Sequence, residues 1–256
     1  MSATEDREAA VALPARLGDA GAELIADLVD ANRILYRFGV VDAFGHISAR
    51  HPRRPGHFLL SRNLAPALVT ADDILEFDAD GEAVGDTRRP YLERFIHGEI
   101  FRARPDVMAV VHTHSPAVIP FGLVAGAPLR PVFHMCGFLG ESAPIFEIRE
   151  TAGEATDLLV RDRALGAALA TRLGGNSVVL MRGHGVTIAA ANVRQAVYRA
   201  LYTEANAKLQ CQAIGLAAAA GAAPTYLTPA EARAAATMND GQLHRPWALW
   251  CREAWS

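Results

Sequence analysis

The chain has 256 residues, 51% of them hydrophobic, and a formal net charge of -3 with acids and bases interspersed. That length suits one large domain or two small ones. No basic stripe suits nucleic acid, and no run of about 18 apolar residues suits a membrane span. The start, MSATEDREAA, is polar and acidic and lacks the basic and apolar segments of a secretory signal. Three scattered cysteines, Cys136, Cys211 and Cys251, make neither a disulfide framework nor a thiolate metal site. Buried or incidental thiols in a reducing cytoplasm are the expectation.

Residues 1–17 are expected to form a flexible tail, and residues 18–256 a single domain with a helical C-terminal extension. An apolar stripe of Leu24, Ile25, Leu28, Val29, Ile34 and Leu35 predicts a helix over 20–36, ended by Gly39. Short strand-like runs follow at 46–50, 57–61 and 73–84, the last carrying Ala79-Asp80-Gly81 as a hairpin turn. A helix is expected over 91–102, with Phe95, Ile96, Ile100 and Phe101 inward, and a strand over 107–114. The Pro/Gly-rich stretch 115–144 reads as loops with a short strand at 129–135. A helix over 162–173, strands over 177–182 and 186–190, and a long helix over 192–215 come next. In that helix Ala196, Val197, Ala200, Leu201, Ala207 and Leu209 are the expected inward positions. The Ala/Gly run 217–223 favours no single conformation, and Thr228, Pro229 and Glu231 open a final helix. Helices alternating with short strands predict one α/β domain with a mixed or antiparallel sheet. No GxGxxG follows a strand, so a nicotinamide site has no support.

The segment VVHTHSP, 110–116, sets His112 and His114 two apart in a strand, so both imidazoles face one way. Such a pair either chelates an ion or serves as surface hydrogen-bonding groups. His184, between Gly183 and Gly185 at the end of an apolar run, is a third candidate ligand, with a plain turn histidine as its competing role. Three strand-placed histidines are a common start for a zinc-type site. Glu93, in PYLERFIHGEIF, is the best accompanying acid, either in the metal shell or as general base. Its bland alternative is a helix-surface partner for His97, itself expected to be a packing histidine.

The ordered motifs GHISAR (45–50), DDILEFDADGE (72–82), ERFIHGEIFRARPDVMAVVHTHSP (93–116) and VVLMRGHGV (178–186) resemble the class II aldolase and adducin family over about residues 20–215. That family is typified by fuculose-phosphate and ribulose-phosphate enzymes. The resemblance implies a three-layer α/β/α domain around a mixed, mostly antiparallel sheet, and a homotetramer with sites between subunits. It also implies His112, His114 and His184 as ligands of one divalent metal, and Glu93 as the acid that binds it at rest and shuttles protons. Zinc comes first, although imidazole nitrogens also accept manganese, iron or cobalt.

The family's phosphate-holding segments are altered here. Gly45-His46, Arg62-Asn63 and Tyr91-Leu92 stand where small hydroxyl and amide residues are expected. With Ser48 of GHISAR, the residues His46, Arg62, Asn63 and Tyr91 are the expected substrate-binding set, Arg62 gripping a carboxylate or sitting in a surface ion pair. A family tyrosine that protonates the leaving group falls at His134, which reads as an acid or base, or as a structural histidine. Phe121, Phe133, Phe138, Trp247 and Trp250 suit either a flat substrate or ordinary core. The expectation is a metal-dependent carbon–carbon lyase, decarboxylase or aldolase, for a non-phosphorylated, carboxylated hydroxy, keto or hydroxy-aromatic small molecule. The alternatives are a non-haem iron oxygenase and a non-catalytic adducin-like module, with no nucleic acid or membrane partner.

Overall fold

A computed structural model describes residues 3–256. Seven strands form one sheet in the order β3-β2-β1-β4-β7-β6-β5. They are β1 (His46–Arg50), β2 (Phe58–Ser61), β3 (Ile74–Phe77), β4 (Ala109–Thr113), β5 (Ile145–Phe146), β6 (Val178–Met181) and β7 (Gly185–Ala190). Every neighbouring pair is antiparallel except β5 with β6, so the sheet is mixed and mostly antiparallel, as expected.

Alternation along the strands splits the core between the two faces of the sheet. Ile47, Val111 and Ile188 join Ile25, Leu28 and Ile34 of α2 (Ala22–Arg37) and Val197 of α6 (Val193–Ala219). On the other face Leu60, Val110 and Val179 meet Ile96 and Ile100 of α3 (Arg94–Ala103) and Leu169 of α5 (Arg163–Leu173). The result is three layers with one sheet between two helical faces. His46 and Ser48 alternate with Ile47 and Ala49. They therefore point to the α3 side, where the polar site lies.

Capping sets several boundaries. Asp162 accepts from Leu165 N–H at 2.9 Å to open α5, and Asn192 accepts from Gln195 N–H at 2.8 Å to open α6. Thr228 and Glu231 form the expected reciprocal box at α7 (Pro229–Asp240). The hairpin after β3 closes with Asp78 N–H donating to Glu82 O at 3.0 Å.

Several expectations need correction. Residues 1 and 2 of the expected tail lie outside the described residues, but α1 (Ala3–Ala10) and a 3-10 turn at Ala15–Leu17 occupy most of the rest. Arg7 grips the buried Asp30 through Nη2 at 2.6 Å and Nε at 3.1 Å. No strand forms at 129–135. There Arg130 and Val132 donate their N–H groups to the side chains of Gln210 and Asn206 on α6, so the backbone is satisfied without a partner strand. In α6, Leu209 is exposed and Leu201 only half-buried, and the helix continues to Ala219 because alanine is the strongest helix former. Besides α1, two helices were not expected, α4 (Arg149–Ala152) and α8 (His244–Ala254).

Candidate metal centre

Three antiparallel pairings bring the donors together. His46 lies opposite His112 across β1 and β4, and Thr187 lies opposite His112 across β4 and β7. His114 follows one residue after β4. His184 sits in the tight β6–β7 turn, where Gly183 has a φ of 67° that favours glycine. Gly185 allows that turn to press on β4. A Cβ built there would lie 2.1 Å from the Thr113 carbonyl oxygen. The expected role of these glycines thus divides in two, one for backbone conformation and one for close approach.

His114 Nε2 stands 3.3 Å from His112 Nε2 and 3.0 Å from His184 Nε2. Glu93, just before α3, places Oε2 at 3.7 Å from His112 Nε2 and 3.5 Å from His184 Nε2. One donor atom from each of the four residues falls within 4.8 Å of the others. Far-side hydrogen bonds set the tautomers. His184 Nδ1–H donates to the Leu158 carbonyl at 2.9 Å, because a carbonyl only accepts. Thr187 donates its hydroxyl to Met181 Sδ at 3.3 Å, which leaves Oγ1 to accept from His112 Nδ1, 3.4 Å away. Both residues therefore turn Nε2 lone pairs inward toward His114 and Glu93, an arrangement that suits a cation. The donor set fits a divalent metal of the zinc type.

Electrostatics agree with that geometry. Burial pushes His112, His114 and His184 below the ordinary histidine value, so each imidazole is neutral at pH 7. Burial pushes the Glu93 carboxyl up, against the opposing bond that its Oε1 accepts from Val160 N–H at 2.9 Å.

The cluster opens on a cavity of about 720 Å³ lined by Phe44, His46, Asn63, Leu64, Leu68, Tyr91, Leu92 and Leu159 among others. Phe44 and Leu68 leave 65% and 62% of their surface exposed, so the wall is apolar and unfilled. No lysine or arginine lines the cavity among the described residues.

The expected substrate set divides. His46, Asn63 and Tyr91 line the cavity. Ser48 is fully buried beneath it, with its hydroxyl 2.6 Å from His97 Nδ1. Arg62 is not on the wall. Its Nε donates to Asp73 Oδ1 at 2.7 Å, so the surface ion pair is the role the structure shows. His134 is exposed and lines a separate cavity with Tyr198, Tyr202 and Trp250, so within one chain it does not meet the cluster. Phe121, Trp247 and Trp250 belong to the core, and none of the five expected aromatics lines the metal cavity. His97, expected only to pack, is fully buried and hydrogen-bonded to His46. Its two-residue offset from Phe95 gave no such signal, because the link crosses from a helix to a strand.

Residues 26–211 match the family described as Class II Aldolase and Adducin N-terminal domain. The chain is 39% identical over 248 residues to "Decarboxylase tropJ" of Talaromyces stipitatus, covering 90% of this chain and 93% of that one. It is 36% identical over 197 residues to "3,4-dihydroxyphthalate decarboxylase" of Arthrobacter keyseri, covering 71% and 75%. Its fold is similar to the crystal structure of an aldolase II superfamily protein from Pseudomonas syringae, with a TM-score of 0.73, 23% identity, and coverage of 91% and 92%.

Proposed function

The chain belongs to the class II aldolase and adducin family, and from that premise we propose a metal-dependent decarboxylase of a non-phosphorylated hydroxy-aromatic acid. The observation that carries this reading is the junction of a four-donor cluster with a largely apolar cavity in which His46, Tyr91 and Leu92 stand where phosphate-holding hydroxyl and amide groups are expected. Such a wall accepts a flat ring and lacks the small hydroxyl pair that would hold a phosphate dianion at 91–92. The decarboxylase names of two relatives support a lyase.

His112, His114 and His184 would hold the metal through Nε2, with Glu93 as the fourth donor. A bound divalent cation would supply Lewis acidity to adjacent substrate oxygens. Leu64, Leu68 and Leu92 would flank the ring and hold it beside the cluster. When the bond to the carboxylate carbon breaks, carbon dioxide leaves and the electron pair stays on the ring carbon. Glu93 takes a proton from a substrate hydroxyl and gives it to that carbon, and the product hydroxyl regains its proton from solvent. Tyr91 contributes its ring rather than its hydroxyl, which already donates to the Leu64 carbonyl.

The test is anaerobic turnover of 3,4-dihydroxyphthalate and a panel of hydroxybenzoates by protein loaded with zinc, manganese or ferrous iron. Carbon dioxide release that stops on chelation is expected. Cleavage of L-fuculose 1-phosphate with no acid consumed would overturn the reading. A strict need for dioxygen would point to the oxygenase alternative, and metal stoichiometry near zero to the adducin-like one.

A further inference from the structure

Beneath the cavity wall, three buried side chains form a hydrogen-bonded row. Ser48 Oγ is 2.6 Å from His97 Nδ1, and His97 Nε2 is 2.6 Å from His46 Nδ1. Ser48 and His97 are fully buried, and His46 is 4% exposed. His46 packs its ring against Tyr91 and His112, with centroids 4.6 and 5.2 Å apart, and lines the cavity beside Glu93. The bond to His97 through Nδ1 is the only one its ring makes among the described residues, and its Nε2 is left to the cavity.

The row can run in two directions, and counting donors chooses between them. If His46 donates to His97 and His97 donates to Ser48, the hydroxyl hydrogen of the fully buried Ser48 has no acceptor among the described residues. A buried donor without a partner is the costly arrangement. If Ser48 donates to His97 Nδ1, then His97 Nε2–H donates to His46 Nδ1, and every buried hydrogen in the row is used. The remaining proton of His46 then sits on Nε2, at the cavity. A doubly protonated His97 would be the third possibility, but burial pushes it down to about 3.

We propose that His97 is a positioning residue which, with Ser48, fixes His46 as the neutral Nε2–H tautomer, so that the cavity offers a directed N–H donor to an anionic oxygen of the substrate. The substrate half of this inference rests on the hydroxy-aromatic acid reading; the tautomer half does not. A neutral donor next to the metal cluster discriminates by direction rather than charge. It would favour an oxygen held in the plane of a ring, such as a carboxylate ortho to a hydroxyl, over a freely rotating phosphate.

The experiment has two arms. The first reads histidine ¹⁵N shifts in metal-free protein with no substrate. It expects the neutral Nε2–H form for His46 in the wild type and a mixture of both neutral tautomers in His97→Leu and in Ser48→Ala. The second measures binding of 2,3-dihydroxybenzoate to zinc-loaded protein. His97→Leu should weaken binding about 10- to 100-fold, the range for losing a partner that orients a site residue. His97→Gln should recover most of it, because the amide oxygen accepts from Ser48 while the amide nitrogen donates to His46. A merely structural role for His97 would give no such rescue, and Ser48→Ala guards against misfolding of the leucine variant. An Nδ1–H form of His46 in the wild type overturns the proposal outright. The expected tautomers with no effect on 2,3-dihydroxybenzoate binding overturn its substrate half.

Discussion

Glu93 carries two demands that pull apart. Its Oε1 is held by the Val160 N–H, while Oε2 faces His112 and His184 from 3.7 and 3.5 Å. Glu93→Gln keeps the volume and the bond to Val160 but cannot carry a transferable proton. Metal content by elemental analysis should stay close to stoichiometric while kcat falls by about 10²- to 10⁴-fold, the usual weight of a positioned acid or base. Loss of metal together with activity would show that Glu93 is mainly a ligand. His184→Ala tests the other half. With one of three imidazoles gone, zinc should no longer copurify at one per chain, and activity should vanish with it. Most of this cluster was legible in the chain, because HTH places two imidazoles by period-two geometry and GHG after an apolar run marks a turn that presents a third. The roles of Arg62 and His134 were left open between alternatives for one reason: each stands at a position aligned with a functional one, but only tertiary contacts reveal that Asp73 engages Arg62 and that, within one chain, His134 faces a different cavity.

The β6–β7 turn shows how an element, rather than a donor, builds the site. Gly185 lets the turn lie against β4, with no room for a Cβ beside the Thr113 carbonyl. Gly185→Ala must push the turn away by roughly a methyl radius, and His184 moves with it. Donor geometry for zinc tolerates only a few tenths of an ångström. The variant should therefore fold, with the far-ultraviolet dichroism of the wild type, yet bind zinc at least about 10-fold more weakly by competition with a chromogenic chelator. Unchanged affinity would mean that the turn is softer than the packing implies. The main elements were readable because their local signals are strong: α2 has its stripe, β1 and β2 are short strand-like runs, and α7 has its capping residues. The missed elements had neither. β5 spans two residues, too few to alternate, and α8 begins without a side-chain cap at Leu243. The false strand at 129–135 was extended backbone whose donors are satisfied by Asn206 and Gln210, a bond pattern invisible to local sequence.

At the scale of the whole molecule, the site is a liability to the metal-free fold. Five imidazoles, the buried His46, His97 and His112 and the partly buried His114 and His184, are all held below the usual histidine value of 6.5 by burial. Because the shift is downward, the unfolded chain takes up protons first. Stability is therefore intact above pH 6.5 and is lost as pH falls below it. For His97, held down to about 3, the loss by pH 5 alone is about 2 kcal/mol. A divalent metal acts in the opposite sense at neutral pH, since it binds only the folded cluster. At a thousand times its Kd it adds about 4 kcal/mol, which for a chain of this size raises Tm by roughly 10 °C. Protons and metal compete for the same Nε2 lone pairs, so the two effects are linked. Calorimetry of zinc-loaded and chelated protein at several pH values should give a gap near that size at pH 7.5, narrowing steadily toward pH 5 as metal is released. Chelated protein should itself melt lower at pH 5 than at pH 7.5. A zinc-induced shift that is absent at every pH would remove the metal centre, while a shift that does not shrink with acid would place the metal on groups other than these histidines.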